Sequence, residues 1–231
     1  MRSSPTSLLS LFTLAAALCL GGLHAAEPKW TPLFDGKSLQ GWKQLQGEAK
    51  YVVRDGALVG IITEGVGVNS FMATEELFGD FIFECEFKAD AGINSGIQFR
   101  SAPPDGGERK RVYGYQFEID PTPRGLTGGM YEEGRRGWFQ PSQNNGAPQK
   151  AWAAKHGSKL KMGEWNKARI EARGNHVKTF LNGELVADFV DKEEDVRIKR
   201  GFFAFQVHST KKPELIGKEA AFRNVRVQRL D

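Results

Sequence analysis

Apolar residues along this chain recur at every second position, in short runs broken by Gly, Pro, Asn and Asp. In Phe81-Ile-Phe-Glu-Cys-Glu-Phe87 the alternation sets Phe81, Phe83, Cys85 and Phe87 on one face of a strand. The same rhythm predicts strands over 51–53, 57–62, 71–73, 81–89, 96–100, 115–120, 165–173, 176–181, 184–190, 201–207 and 221–229. Turn signals separate them, among them Arg54-Asp-Gly56, Arg173-Gly-Asn175 and Asn182-Gly183. The last is the dipeptide a tight hairpin favours, because both residues tolerate positive φ. No stretch of useful length keeps a 3.6-residue apolar period, so the pattern predicts an all-β sandwich or barrel. No internal repeat or linker interrupts it, and residues 27–231 read as one domain.

Two segments break the rhythm. Residues 101–112 are polar and charged, with paired Pro and paired Gly, and residues 121–162 carry Arg124, Tyr131, Arg135, Arg136, Trp138 and Trp152. Loops of that length inside a compact domain usually carry function. They flank strand 115–120 and are expected to wall one end of the sandwich.

Residues 1–26 have the layout of a secretory signal peptide: Arg2, an apolar run from Leu8 to Leu23, then Ala25-Ala26 before Glu27 and Pro28. The run is shorter than the roughly 20 apolar residues a spanning helix needs. The expected location is the bacterial periplasm or the exterior, with no stable membrane insertion once the leader is removed. Cys85 is then the one cysteine of the mature chain, and its place on an apolar strand face predicts a buried, inert thiol.

Charge alters the picture little. The 231 residues carry 32 Lys+Arg against 28 Asp+Glu, a net +4, and the two signs are interspersed. The basic stripe that nucleic-acid binding needs is missing, so no nucleic-acid partner is expected.

Alternation also sorts the polar candidates. Ile97 and Phe99 take a core face and leave Gln98 and Arg100 opposite; Tyr115, Phe117 and Ile119 leave Gln116, Glu118 and Asp120; Phe203, Phe205 and Val207 leave Gln206 and His208. If these strands are neighbours, the rows form a polar floor, with Tyr131, Trp138 and Trp152 on its rim to stack on a sugar. Glu118 and Asp120 lie roughly 6.5–7 Å apart along the strand, close enough for a water-poor surface to push their pKa values apart and divide acid from base. The bland alternative is the wet face of an antiparallel sheet. Glu84 and Glu86 read as solvated, and His156 and His176 as surface residues. No metal-ligand spacing and no nucleophile-elbow motif is present, so no cofactor is predicted; a divalent ion held by Glu118, Asp120 and His208 stays open.

Trp30-Thr-Pro-Leu-Phe-Asp-Gly-Lys-Ser-Leu-Gln-Gly-Trp42 resembles the opening of the 3-keto-disaccharide hydrolase family, a group described as 3-keto-glucoside 1,2-lyases/3-keto-2-hydroxyglucal hydratases. The resemblance runs on through Asn94-Ser-Gly-Ile-Gln-Phe-Arg100, Gly114-Tyr-Gln-Phe-Glu-Ile-Asp120, Gly128-Gly-Met-Tyr131, Arg135-Arg-Gly-Trp138, Gly163-Glu-Trp-Asn166, Leu181-Asn-Gly183, Gln206-Val-His208 and Phe222-Arg-Asn-Val225. Many members have Glu then Gln where this chain has Gln116 then Glu118, an order that looks like a second subgroup. The resemblance implies a concanavalin A-like jelly roll and a small carbohydrate substrate oxidised at C3. It also implies a pathway link to an oxidoreductase that forms 3-keto sugars. Such chemistry needs a base near C2, a donor near the ketone and an acid near the leaving group. The residue types present cast Glu118 or Asp120 as base, His208 as acid and Arg100 at the enolate, with Gln98, Gln116, Tyr131, Arg135, Trp138 and Gln206 around the sugar. Two rivals remain. A conventional jelly-roll glycosidase lacks its third acid here, because Pro121-Thr-Pro-Arg124 follows Asp120. A non-catalytic, lectin-like module needs only the aromatics and amides.

Overall fold

The computed structural model describes residues 29–64, 67–107, 110–195 and 197–231; the leader expected over 1–26 lies outside them. Fifteen strands are formed: β1 (Trp30–Pro32), β2 (Trp42–Leu45), β3 (Lys50–Arg54), β4 (Ala57–Ile61), β5 (Ser70–Thr74), β6 (Phe81–Ala89), β7 (Ser95–Ala102), β8 (Tyr113–Ile119), β9 (Met130–Glu133), β10 (Gly137–Gln140), β11 (Asn166–Arg173), β12 (His176–Leu181), β13 (Glu184–Val190), β14 (Phe202–Val207) and β15 (Glu219–Arg229). They make two antiparallel sheets. One runs β13-β12-β11-β6-β15-β4-β3, with β1 added along the second half of β15; the other runs β10-β9-β8-β7-β14-β5-β2. The protein is a jelly-roll sandwich, as the alternation and the resemblance imply.

The inward faces are those the period of two selects. Phe81, Phe83, Cys85 and Phe87 of β6 meet Phe99, Phe117, Phe203 and Phe205 of the facing sheet, all at 1 % exposure or less. Phe83 stacks on Phe203 at 4.5 Å and Phe205 on Phe222 at 3.9 Å between ring centroids, so aromatic pairs bridge the sheets. Burial also pushes the Cys85 thiol well above its usual pKa and keeps it protonated.

Strands β1, β2, β9 and β10 and a helix, α1 (Gly146–His156), are additions to the sequence expectation. The helix is illegible in the pattern because it buries only Trp152 and His156, one turn apart. His156 is therefore not a surface residue, whereas His176 is half-buried, with its ring reaching the surface 2.5 Å from Asp188. Glu84 is not solvated either. It is 4 % exposed on the outer face of β6, where Arg226, Arg169 and Lys167 surround it.

Candidate active site

The outward face of the β8-β7-β14 sheet is partly apolar. Phe71, Ala73, Val112, Phe202 and Ala204 form a small separate cluster there, which seals the β5 side. The polar floor occupies the remainder. Register places Gln98 opposite Gln116, Gly96 between Glu118 and Gln206, and Tyr131 opposite Gln116. The strands bearing Gln98, Gln116, Glu118, Tyr131 and Gln206 are thus neighbours.

A chain of neutral hydrogen bonds fixes this floor. Ser101 Oγ donates to Gln98 Oε1 at 2.8 Å, Gln98 Nε2 to Gln116 Oε1 at 2.5 Å, and Gln116 Nε2 to Glu118 Oε2 at 2.8 Å. Asn94 Nδ2 donates to Glu118 Oε1 at 2.5 Å. Gly96 makes room for the chain: a Cβ there would lie 2.4 Å from the Gln116 amide carbon. Glu118 is 3 % exposed, and burial pushes its carboxyl up to about 7 although both amides favour the charged form. A carboxyl poised near neutrality can take a proton and return it.

Sequence reasoning passed over Glu133, which shares the Tyr131 face of β9 and is 5 % exposed. Gln206 Nε2 donates to its Oε2 at 3.2 Å, and Arg111 Nη1 lies 3.5 Å from its Oε1. Burial raises the Glu133 carboxyl, with the charges of Arg111 and His208 opposing. Beside it opens a cleft of about 330 Å³ lined by Gln46, Asn69, Lys110, Arg111, Glu133 and His208. Tyr131 stands between the two acids in charge terms: burial first, then Glu133 and Glu118, raise its phenol and keep it a neutral donor. Its ring lies 5.2 Å from that of Trp138. Alternation from Tyr131 points to Glu133, but a four-residue strand within a long polar segment is too short to stand out in the pattern.

Five sequence expectations are corrected. Arg100 does not join the floor. One extra residue on β7 breaks its register with both β8 and β14, and Arg100 at φ +44° is turned to the sheet rim. There its guanidinium donates to Gly79 O, Gly174 O and Asp80 Oδ1 at 2.6–2.7 Å and is spent on structure. Asp120 is fully buried and bound into the following loop, accepting from Thr122 Oγ1 at 2.7 Å with Arg124 Nε at 3.2 Å. Arg135 pairs with Glu132, which faces away from Tyr131, and Trp152 is buried at 9 % exposure on α1, so neither rims the floor. His208 is exposed beside Glu133 and does not converge with Glu118 and Asp120; among the described residues no three His, Cys, Asp or Glu side chains group as metal ligands.

Residues 29–228 match the 3-keto-alpha-glucoside-1,2-lyase-like domain. The chain belongs to this family. No curated protein matches it. Among solved structures, a Parabacteroides distasonis protein provisionally described as a glycosyl hydrolase is 21% identical, with 87% of this chain and 94% of that one covered and a TM-score of 0.57. The carbohydrate-binding module CBM66 of Bacillus subtilis is 18% identical over 81% and 95% of the two chains, TM-score 0.54. The kappa-carrageenase of Pseudoalteromonas carrageenovora, solved with an oligotetrasaccharide, is 10% identical over 91% and 99%, TM-score 0.54. At these identities the likeness is one of fold. Family and fold together make this a carbohydrate-related jelly-roll protein.

Proposed function

We propose that the protein cleaves 3-keto-glycosides by removing the C2 proton and eliminating the group on C1. The observation that carries this reading is Glu118, a buried carboxyl held by two neutral amides and poised near pH 7. A 3-keto group acidifies the C2 proton. Glu118 takes that proton, and the electron pair moves onto the ketone oxygen as an enolate. The Tyr131 phenol, kept protonated, is the donor suited to that oxygen, in place of the displaced Arg100. Collapse of the enolate expels the C1 oxygen and leaves a C1–C2 double bond conjugated to the ketone. Water then adds at C1 while Glu118 returns its proton to C2. The buried amide chain holds Glu118 still during both transfers, and Trp138 beside Tyr131 offers a ring face to the sugar. In the exported setting that residues 1–26 imply, an oxidoreductase acting on glycosides at C3 would supply the substrate.

The test is an assay of the protein and of Glu118→Gln on a 3-keto-glucoside and on the unoxidised sugar. Exchange of the C2 hydrogen in D₂O is read by NMR and aglycone release by mass spectrometry. Exchange and release from the keto sugar alone, both lost in the variant, are expected. Cleavage of the unoxidised sugar would instead identify a conventional glycosidase, and binding without turnover a lectin-like module.

A further inference from the structure

Elimination at C1 needs a second proton-handling group, for the oxygen that departs, and the base already spoken for cannot provide it. Among the described residues Glu133 is the buried carboxyl that lines the cleft of about 330 Å³ beside the floor, while Glu118 lies in the floor outside that cleft. It is carried by β9, two residues beyond Tyr131 on the same face, and its carboxyl is hydrogen-bonded by Gln206 on β14. Gln206 and Glu118 flank Gly96, so the two acids address one floor from separate points.

Resting on the proposed elimination, we infer that Glu133 is the general acid that protonates the departing glycosidic oxygen, with Gln206 holding it and His208 and Arg111 at the cleft mouth. Four features of the geometry carry this. Glu133 has one side in the cleft and its other oxygen on an amide, the arrangement a proton donor needs. The Gln206 amide serves both protonation states: Nε2 donates to the carboxylate, and Oε1, buried and otherwise unpartnered, accepts from the acid when the amide turns over. His208 is exposed, and its ring is engaged with the backbone of the next residue, Nδ1 lying 2.7 Å from Ser209 O. Arg111 is 63% exposed at its side chain and 3.5 Å from Glu133, a looser contact than the paired guanidinium that would hold a carboxyl permanently ionised.

The steps balance. As the C1–O bond breaks, its electron pair stays on oxygen and the Glu133 proton is transferred to it, releasing the aglycone as an alcohol. The Glu133 carboxylate then takes a proton from the water whose oxygen bonds to C1, and is restored as an acid. Glu118 returns its own proton to C2, so the net reaction consumes one water.

The experiment compares wild type, Glu133→Gln, Glu133→Asp and His208→Gln on 3-keto-glucosides bearing an alkyl or a 4-nitrophenyl leaving group. C2 exchange in D₂O is followed in parallel, and thermal unfolding checks that each variant is folded. Glu133→Gln is expected to lose ~100-fold or more on the alkyl glycoside and under ~10-fold on the nitrophenyl one, with C2 exchange retained. Glu133→Asp keeps the acid on a shorter stem and recovers part of the alkyl activity. An equal loss on both substrates, or the leaving-group signature in His208→Gln instead, would overturn the assignment to Glu133 alone. Absence of C2 exchange in the wild type would overturn the elimination itself, and the acid with it.

Discussion

Glu84 and Glu118 are nearly matched in burial, at 4 % and 3 % exposure, and stand on strands of opposite sheets. Their environments differ in depth and in donors: Glu84 lies shallow among partly exposed cations, whereas Glu118 is enclosed on all sides. Arg226, Arg169 and Lys167 reach Glu84 at 2.6–3.0 Å, and these cations hold its carboxyl below the usual range against the cost of burial. Glu118 receives two hydrogen bonds from neutral amides, which oppose desolvation but do not overcome it, and its carboxyl moves up to about 7. Low solvent exposure alone therefore says little about what a carboxyl is for. Depth and the charge on its donors together decide between a permanent ion that ties strands together and a group that titrates where enzymes work.

The largest effect expected from this contrast is kinetic. Glu118→Gln should lower C2 exchange on a 3-keto-glucoside by ~10³-fold, while Glu84→Gln should leave it within about twofold. Comparable losses in the two variants would erase the distinction.

Next in size is the pH dependence of stability, where the two groups carry opposite signs. The folded-state pKa of Glu118 is raised from 4.5 to about 7. Its contribution is full below pH 4.5 and is lost as the pH rises through 7, because the buried site then holds a charge it disfavours. The loss is about 3 kcal/mol. Denaturant titrations at pH 4.5 and pH 8 should show Glu118→Gln gaining on wild type by that order at the higher pH. A difference that stays flat with pH would mean that Glu118 is ionised throughout.

Glu84 gives the smallest effect. Its lowered pKa means that its contribution is present above the usual value of 4.5 and lost as the pH falls below it. Glu84→Gln should cost about 1–2 kcal/mol at pH 7, a modest figure because its three partners are partly solvated and screened, and the cost should fade under acid. Denaturation midpoints of the variant and wild type across pH 3–7 check it.

Much of the molecule was legible before folding was considered. The run Phe81-Ile-Phe-Glu-Cys-Glu-Phe87 buries the four side chains its alternation selects, and Gln98, Gln116, Glu118 and Gln206 do share the outward face of one sheet. Asn182-Gly183 joins β12 to β13 as a hairpin dipeptide should. Less was legible where an element is short or nearly unpatterned. Strand β9 has four residues and α1 buries two, and with them went Glu133, the true position of Trp152 and the burial of His156.

What the chain by itself determined is the face of each regular strand, because side-chain direction in an extended backbone has period two and needs no neighbour to define it. What only the tertiary structure decided is everything that depends on pairing. The extra residue in β7 can be recognised only against β8 and β14, and it is what sends Arg100 to Gly79, Gly174 and Asp80. Cations arriving from β11 and β15 made Glu84 a structural ion, and Gln206, 73 residues beyond Glu133, gave that acid its partner. Alternation is local, whereas the dielectric and the charges around a carboxyl are set by strands far away in sequence, so the chain could nominate acids but not assign their roles.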